Sequence, residues 1–336
     1  MRESRPATAP RRGTALWHCL RLGWIYLTHF ELPALRALLS RRTRDVHAHE
    51  QLFCRLSHRL LTAGVEKAGF VLERHNAPPS IEPGRPVVLL VRHSGPFNPQ
   101  LLALLACHEL GRSLISVGRL LPALDPALAL LLRPLRVALF RWNRHGPARA
   151  MRFLIHHAQR LGPDDVLAYF PEGAHMTAAG RRTALKALHT SDPERAAWAR
   201  QLRYVLPPVT AGTARVLAQA VDADVVIVGH TGLEDPLGCL TDLGYPSTGD
   251  RRVHLNWWHT PAAAVPREPA AAAAWLDQRW AAMDAWIAHA RTLPPPQSRP
   301  DPPVTAADRG GGPVPGADCA DHPLRTPTTA PERPQR

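Results

Sequence analysis

Val87-Val88-Leu89-Leu90-Val91-Arg92-His93-Ser94-Gly95-Pro96-Phe97-Asn98 runs from an unbroken apolar stretch into a polar turn. The apolar part reads as a buried strand. His93 then stands at the strand's exit. A histidine held on a turn takes a proton from a hydroxyl when a neighbour fixes its tautomer. That neighbour is usually a carboxylate, and here the candidate is Asn98, five residues on. Asn98 also precedes Pro99 and the apolar run Leu101-Leu102-Ala103-Leu104-Leu105, and Asn before Pro is a favoured helix start. Both roles stay open at this point.

Outward from this stretch, strand-like and helix-like segments alternate. Strands are expected at 87–92, 114–117, 166–170, 225–229 and 252–258. Helices are expected at 99–109, 122–132, 147–161, 193–202 and 211–221. Such alternation predicts a layered α/β/α domain with a mixed, mostly parallel sheet. A last helix over about 268–291 carries Leu276, Trp280, Met283 and Ile287 on one stripe. The expected organisation has four parts: residues 1–14 disordered, 15–80 a helical N-terminal segment, 81–291 the α/β domain and 292–336 a disordered tail. The tail from 293 holds 12 of the 35 prolines and Gly310-Gly311-Gly312. In the N-terminal segment Trp17, Leu20, Trp24 and Leu27 recur at helical spacing. They form either a helical cap on the core or an interfacial face for a membrane surface.

The chain has 336 residues, 45% of them hydrophobic, enough for a sizeable core, and a formal net charge of +13. Its only lysines are Lys67 and Lys186, so arginine supplies the positive charge. Such a protein is drawn to anionic surfaces. Its basic residues are dispersed, however, with no aromatic-interleaved platform, so nucleic acid is not the expected partner. Cys19, Cys54, Cys107, Cys239 and Cys319 are odd in number and have no C-x-x-C spacing, which speaks against a disulfide framework and a zinc site and for a reducing, cytoplasmic setting. No apolar run reaches the roughly 18–20 residues of a spanning helix, and no cleavable signal is expected. P-loop, G-x-G-x-x-G and G-x-S-x-G patterns are missing, and His156-His157 has no third ligand at metal spacing.

Four blocks follow in order: His93 to Asn98; Phe140-Arg141-Trp142-Asn143-Arg144; Phe170-Pro171-Glu172-Gly173 at a strand end; and Val205-Leu206-Pro207-Pro208. Together they resemble the glycerolipid acyltransferase family, which includes 1-acyl-glycerol-3-phosphate acyltransferases. That family carries H-x4-D, an arginine-ending block, F-P-E-G and V-x-P-x. The resemblance covers about residues 85–260. It implies transfer of a fatty acyl group from acyl-CoA or acyl-carrier protein to a glycerolipid hydroxyl in phospholipid biosynthesis, with 1-acyl-glycerol-3-phosphate as the default acceptor. It further implies that His93 is the base and that Asn98 orients it. Arg144, or Arg141 if the register shifts, would clamp the acceptor phosphate. Phe170, Pro171, Glu172 and Gly173 would shape the acceptor site, and Pro207 and Pro208 a rigid turn by the acyl channel. No metal or bound organic cofactor is required. The expected location is cytoplasmic, peripheral on the inner face of the membrane, against an anionic lipid surface.

Three departures stand out. Asn98 replaces the aspartate and cannot supply the negative charge that raises histidine basicity. Ala174-His175 replaces the usual Thr-Arg. Val137 stands near the expected glycine of the second block. Arg181, Arg182 and Lys186 follow the third block and offer compensating charge. The second expectation is therefore a catalytically weakened or inactive member that binds lipid or acyl donor at a membrane surface.

Overall fold

The computed structural model describes residues 20–40, 45–68, 71–95, 98–119, 126–140, 145–233 and 252–293. The expected disordered ends therefore lie outside the described residues, apart from residues 292 and 293. Trp17 and the 141–144 part of the second block lie outside them as well.

The Val87–Val91 strand is β2, and all five of its residues are buried. Successive side chains in a strand point to opposite faces. Val87, Leu89 and Val91 enter one core, against Phe30, Leu52 and Phe53 of the N-terminal helices. Val88 and Leu90 enter a second core with Leu276, Trp280, Met283 and Ile287. An apolar run without alternation thus reports a strand sandwiched between two helical layers. The expected stripe of the last helix is the one that packs there.

The seven strands are β1 (Val71–Arg74), β2, β3 (Ser113–Arg119), β4 (Val137–Phe140), β5 (Asp165–Tyr169), β6 (Asp224–Thr231) and β7 (Arg252–Thr260). They are ordered β1-β7-β6-β2-β5-β3-β4. Every pairing is parallel except β6 with β7. The sheet is mixed and mostly parallel, as expected.

The helices are α1 (20–39, with a π-helical turn at Leu27–Glu31), α2 (Val46–Ala68), α3 (Asn98–Ala103, continuing as a π-helical turn Leu104–Glu109), α4 (Pro126–Leu132), α5 (Gly146–Ala158), α6 (Ala178–Ser191), α7 (Pro193–Ala199), α8 (Thr210–Gln219) and α9 (Pro269–Ala290). None of them is long and apolar enough to cross a membrane.

Three elements depart from the sequence expectation. β1 lies inside the segment expected to be helical, and it joins the sheet through β7. β4 and α6 are additional. Both strands have only four residues and are half-buried or exposed, and α6 buries no residue at all, so none carries a clear apolar period. In α1 the inward face is Leu22, Ile25, Phe30 and Ala34. Leu20 and Trp24 point outward, at 60% and 66% exposure. The repeating Leu20, Trp24, Leu27 pattern is therefore an outer face.

The scatter of cysteines did not exclude a bridge. Cys54 of α2 and Cys107 of the π-helical turn after α3 form a disulfide, with Cα atoms 6.0 Å apart. Helix packing brings together residues 53 positions apart, a pairing that spacing alone does not display.

Candidate active site

β2 and β5 are parallel neighbours in matched register, Leu90 beside Tyr169. Residues leaving their carboxyl ends must therefore meet, at the edge where open α/β sheets place ligands. His93 leaves β2 and Phe170 leaves β5. Their rings stack at 4.3 Å between centroids, 13° apart. The His175 ring also adjoins that of His93, at 4.0 Å between centroids.

The turn after β2 needs Gly95. Its φ is +87°, and a Cβ there would stand 2.2 Å from the carbonyl oxygen of Leu233. Gly173 also has positive φ, +67°, and closes the turn in which its N–H donates to Phe170 O at 3.1 Å. The two turns are stitched together where Met176 N donates to His93 O at 3.0 Å. Val209 N donates to Pro171 O at 2.8 Å, so the fourth block packs onto the third, with Pro207 and Pro208 buried.

Glu172 points inward, only 5% exposed. Its Oε2 accepts from the backbone N–H of His93 at 3.2 Å, and its Oε1 from Trp280 Nε1 at 3.1 Å. Burial pushes its carboxyl up to about 8, against the opposing pull of the Arg92 guanidinium. Arg92 is also buried and donates to the carbonyls of Tyr204 and His230. Asp284 of α9 accepts from the backbone N–H groups of Arg203, Tyr204 and Val205. A buried set of Arg92, Glu172, Trp280 and Asp284 thus fixes the backbone on which His93 and the fourth block sit. Buried charges of this kind persist only with partners. Glu172 therefore acts on the histidine's backbone.

His93 itself is neutral over a wide range. Burial, and then the neighbouring His175, holds its imidazole down at about 3. Asn98 opens α3. Its Nδ2 donates to Gly95 O at 2.7 Å and lies 3.4 Å from His175 Nδ1. Among the described residues, neither Asn98 Oδ1 nor His93 Nδ1 has a hydrogen-bond partner, although both are buried. The amide thus faces Gly95 and His175, with no bond to His93. An N-cap role through the side-chain oxygen is not made either.

The structure therefore brings His93, Asn98, Phe170, Pro171, Glu172, Gly173, Pro207 and Pro208 into one region. Arg144, and its rival Arg141, lie outside the described residues. Arg181 donates to the carbonyls of Leu202 and Arg200, so its guanidinium serves the loop before the fourth block. Sequence reading did not single out Arg92, Asp284 or the contact of His175 with His93, and it placed Trp280 only on the apolar stripe of the last helix. Arg92 carried one usable signal, an arginine closing a fully apolar strand, which requires buried acceptors.

No family model matches the chain, and no curated protein matches it in sequence. Among solved structures, one similar chain is the 1-acyl-sn-glycerophosphate (LPA) acyltransferase PlsC from Thermotoga maritima. The TM-score is 0.51 at 11% identity, and the match covers 82% of this chain and 98% of that chain. At that identity the likeness is one of fold.

Proposed function

We propose that the chain is an acyltransferase that moves a fatty acyl group from acyl-CoA or acyl-carrier protein to a glycerolipid hydroxyl, with 1-acyl-glycerol-3-phosphate as the acceptor. The observation that carries this reading is the placement of His93. Its imidazole sits at the joined carboxyl ends of β2 and β5, on a backbone tied to the F-P-E-G carboxylate. The fold shared with an LPA acyltransferase supports it.

In the proposed step His93 removes the acceptor hydroxyl proton as the oxygen attacks the thioester carbonyl. The tetrahedral intermediate collapses, the C–S bond breaks, and the imidazolium returns its proton to the leaving thiolate. A neutral imidazole is always ready to accept a proton. One held at about 3 accepts it weakly, because proton transfer follows basicity. An arginine of the Phe140–Arg144 block is proposed as the phosphate clamp. The exposed Leu20 and Trp24, with the chain's net charge of +13, support a peripheral position on the anionic inner face of a membrane.

The test is labelled acyl-CoA with 1-acyl-glycerol-3-phosphate, wild type against His93→Ala. A loss of about 10²–10⁴-fold is expected. Equal rates, or no transfer by wild type to any glycerolipid hydroxyl, overturn the enzyme reading.

A second reading is a weakened or inactive member that retains lipid or acyl-donor binding. It is favoured by the Asn98 amide facing Gly95 and His175. It is supported if wild type binds acyl-CoA without turnover and Asn98→Asp alone gains transfer.

A further inference from the structure

We propose that Glu73, His75 and His254 form a binding site for a divalent transition-metal ion of the zinc class, outside the acyl-transfer site. β1 runs parallel to β7 with Glu73 directly beside His254. His75 follows β1, two residues past Glu73, and its N–H donates to Leu255 O at 2.9 Å. That spacing returns the His75 side chain to the face of Glu73.

The three ligand atoms converge. His75 Nε2 lies 3.0 Å from His254 Nδ1, and His254 Nδ1 lies 3.1 Å from Glu73 Oε2. All three fall within 4.8 Å of one another. A tetrahedral zinc ion at its usual bond lengths spaces its ligands by about 3.3 Å, so two edges are already near that value and the third is no longer than 4.8 Å.

Proton counting points the same way. His254 Nδ1 faces both a carboxylate oxygen and a second imidazole nitrogen, yet an imidazole nitrogen offers either one proton or one lone pair. A cation placed among the three atoms engages all their lone pairs at once. The surroundings fix the ligands. His254 is 4% exposed. The Trp286 ring stands edge-on to His75 at 5.3 Å. The Arg252 guanidinium lies 3.8 Å from Glu73 Oε1, on the carboxylate oxygen not offered to the metal. Three protein ligands leave one position for water. The ion would fasten the four-residue edge strand β1 to β7, two strands away from His93.

The test uses the full chain stripped with a chelator. Co(II) is titrated by its tetrahedral visible absorption and then displaced with Zn(II), while the thermal midpoint is followed. Wild type is expected to take one equivalent with nitrogen/oxygen-type bands, free of thiolate charge transfer, and to unfold at a higher temperature with Zn(II). His75 is exposed, so His75→Ala keeps the fold. Removal of an outer-shell partner alone weakens metal sites about 10–100-fold. His75→Ala and Glu73→Gln are therefore each expected to weaken binding by at least about a hundredfold and to lose the shift, with His156→Ala unchanged. The proposal is overturned if wild type takes up no saturable equivalent, or if either His75→Ala or Glu73→Gln binds as wild type does. Acyl transfer plays no part in the readout.

Discussion

The backbone N–H of His93 donates to Glu172 Oε2 at 3.2 Å, joining residues 79 positions apart. With Trp280 Nε1 on the other carboxylate oxygen, Glu172 links the turn after β2 to helix α9. The F-P-E-G glutamate therefore holds the imidazole's platform from below.

Both Glu172 oxygens accept from N–H donors, and glutamine has only one side-chain oxygen. Glu172→Gln sets an NH₂ group against a donor. We expect a loss of about 1–3 kcal/mol in unfolding free energy at pH about 4, where the carboxyl keeps its proton in the folded chain and largely in the unfolded one, and a fall in acyl transfer. Denaturant unfolding checks this, and an unchanged midpoint would falsify the link.

The pH dependence of stability follows from two shifts of opposite kind. The His93 imidazole falls from 6.5 to about 3 on folding. The unfolded chain binds that proton first, so stability drops as pH falls below 6.5. The Glu172 carboxyl rises from 4.5 to about 8. The folded chain retains that proton, so stability drops as pH rises above 4.5. The two slopes cancel between 4.5 and 6.5 and leave a fall on either side, about 1.4 kcal/mol per pH unit at the steepest. His93→Gln should flatten the acid side and Glu172→Gln the side from 6.5 to 8. Unfolding curves from about pH 3 to 9 decide the matter; unchanged slopes in both variants refute the assignment.

With His93 as the proposed base, activity should show no limb near pH 6.5, because its imidazole stays neutral there. Asn98→Asp introduces a carboxylate 3.4 Å from His175, beside the paired imidazoles, and raises their basicity. We expect faster transfer and an acid limb moved upward. A kcat/KM profile of wild type with an ordinary histidine limb contradicts this account of the site.

Gly95→Ala drives a Cβ to 2.2 Å from Leu233 O at a φ of +87°. Backbone cannot yield as a flexible side chain does. The expected cost exceeds about 1–3 kcal/mol, with activity lost because His93 is two residues away. A melting temperature equal to wild type would mean the turn has another conformation.

Leu20→Ser with Trp24→Ser removes exposed apolar surface. Surface changes of this sort alter stability by only about 0.5 kcal/mol. The proposed binding to anionic vesicles should nevertheless weaken clearly in sedimentation. Undiminished binding places the membrane contact elsewhere.

The sequence by itself determined the layered sheet, because burial on both faces writes a strand as an unbroken apolar run, as in Val87–Val91 and Val225–Val228. The same pattern put His93 and Phe170 at strand exits. β1, β4 and α6 were illegible, since exposed or half-buried elements carry little periodicity. Tertiary structure alone decided what the site residues touch. Glu172 faces inward because Trp280 and the His93 backbone, 108 and 79 residues away, supply its donors. Asn98 turns to His175 and Gly95 rather than to His93. The Glu73, His75 and His254 cluster exists because β1 pairs with β7, a contact across 179 residues. Such partners are fixed by strand order and packing, whose information is spread over the whole chain and is not local to any motif.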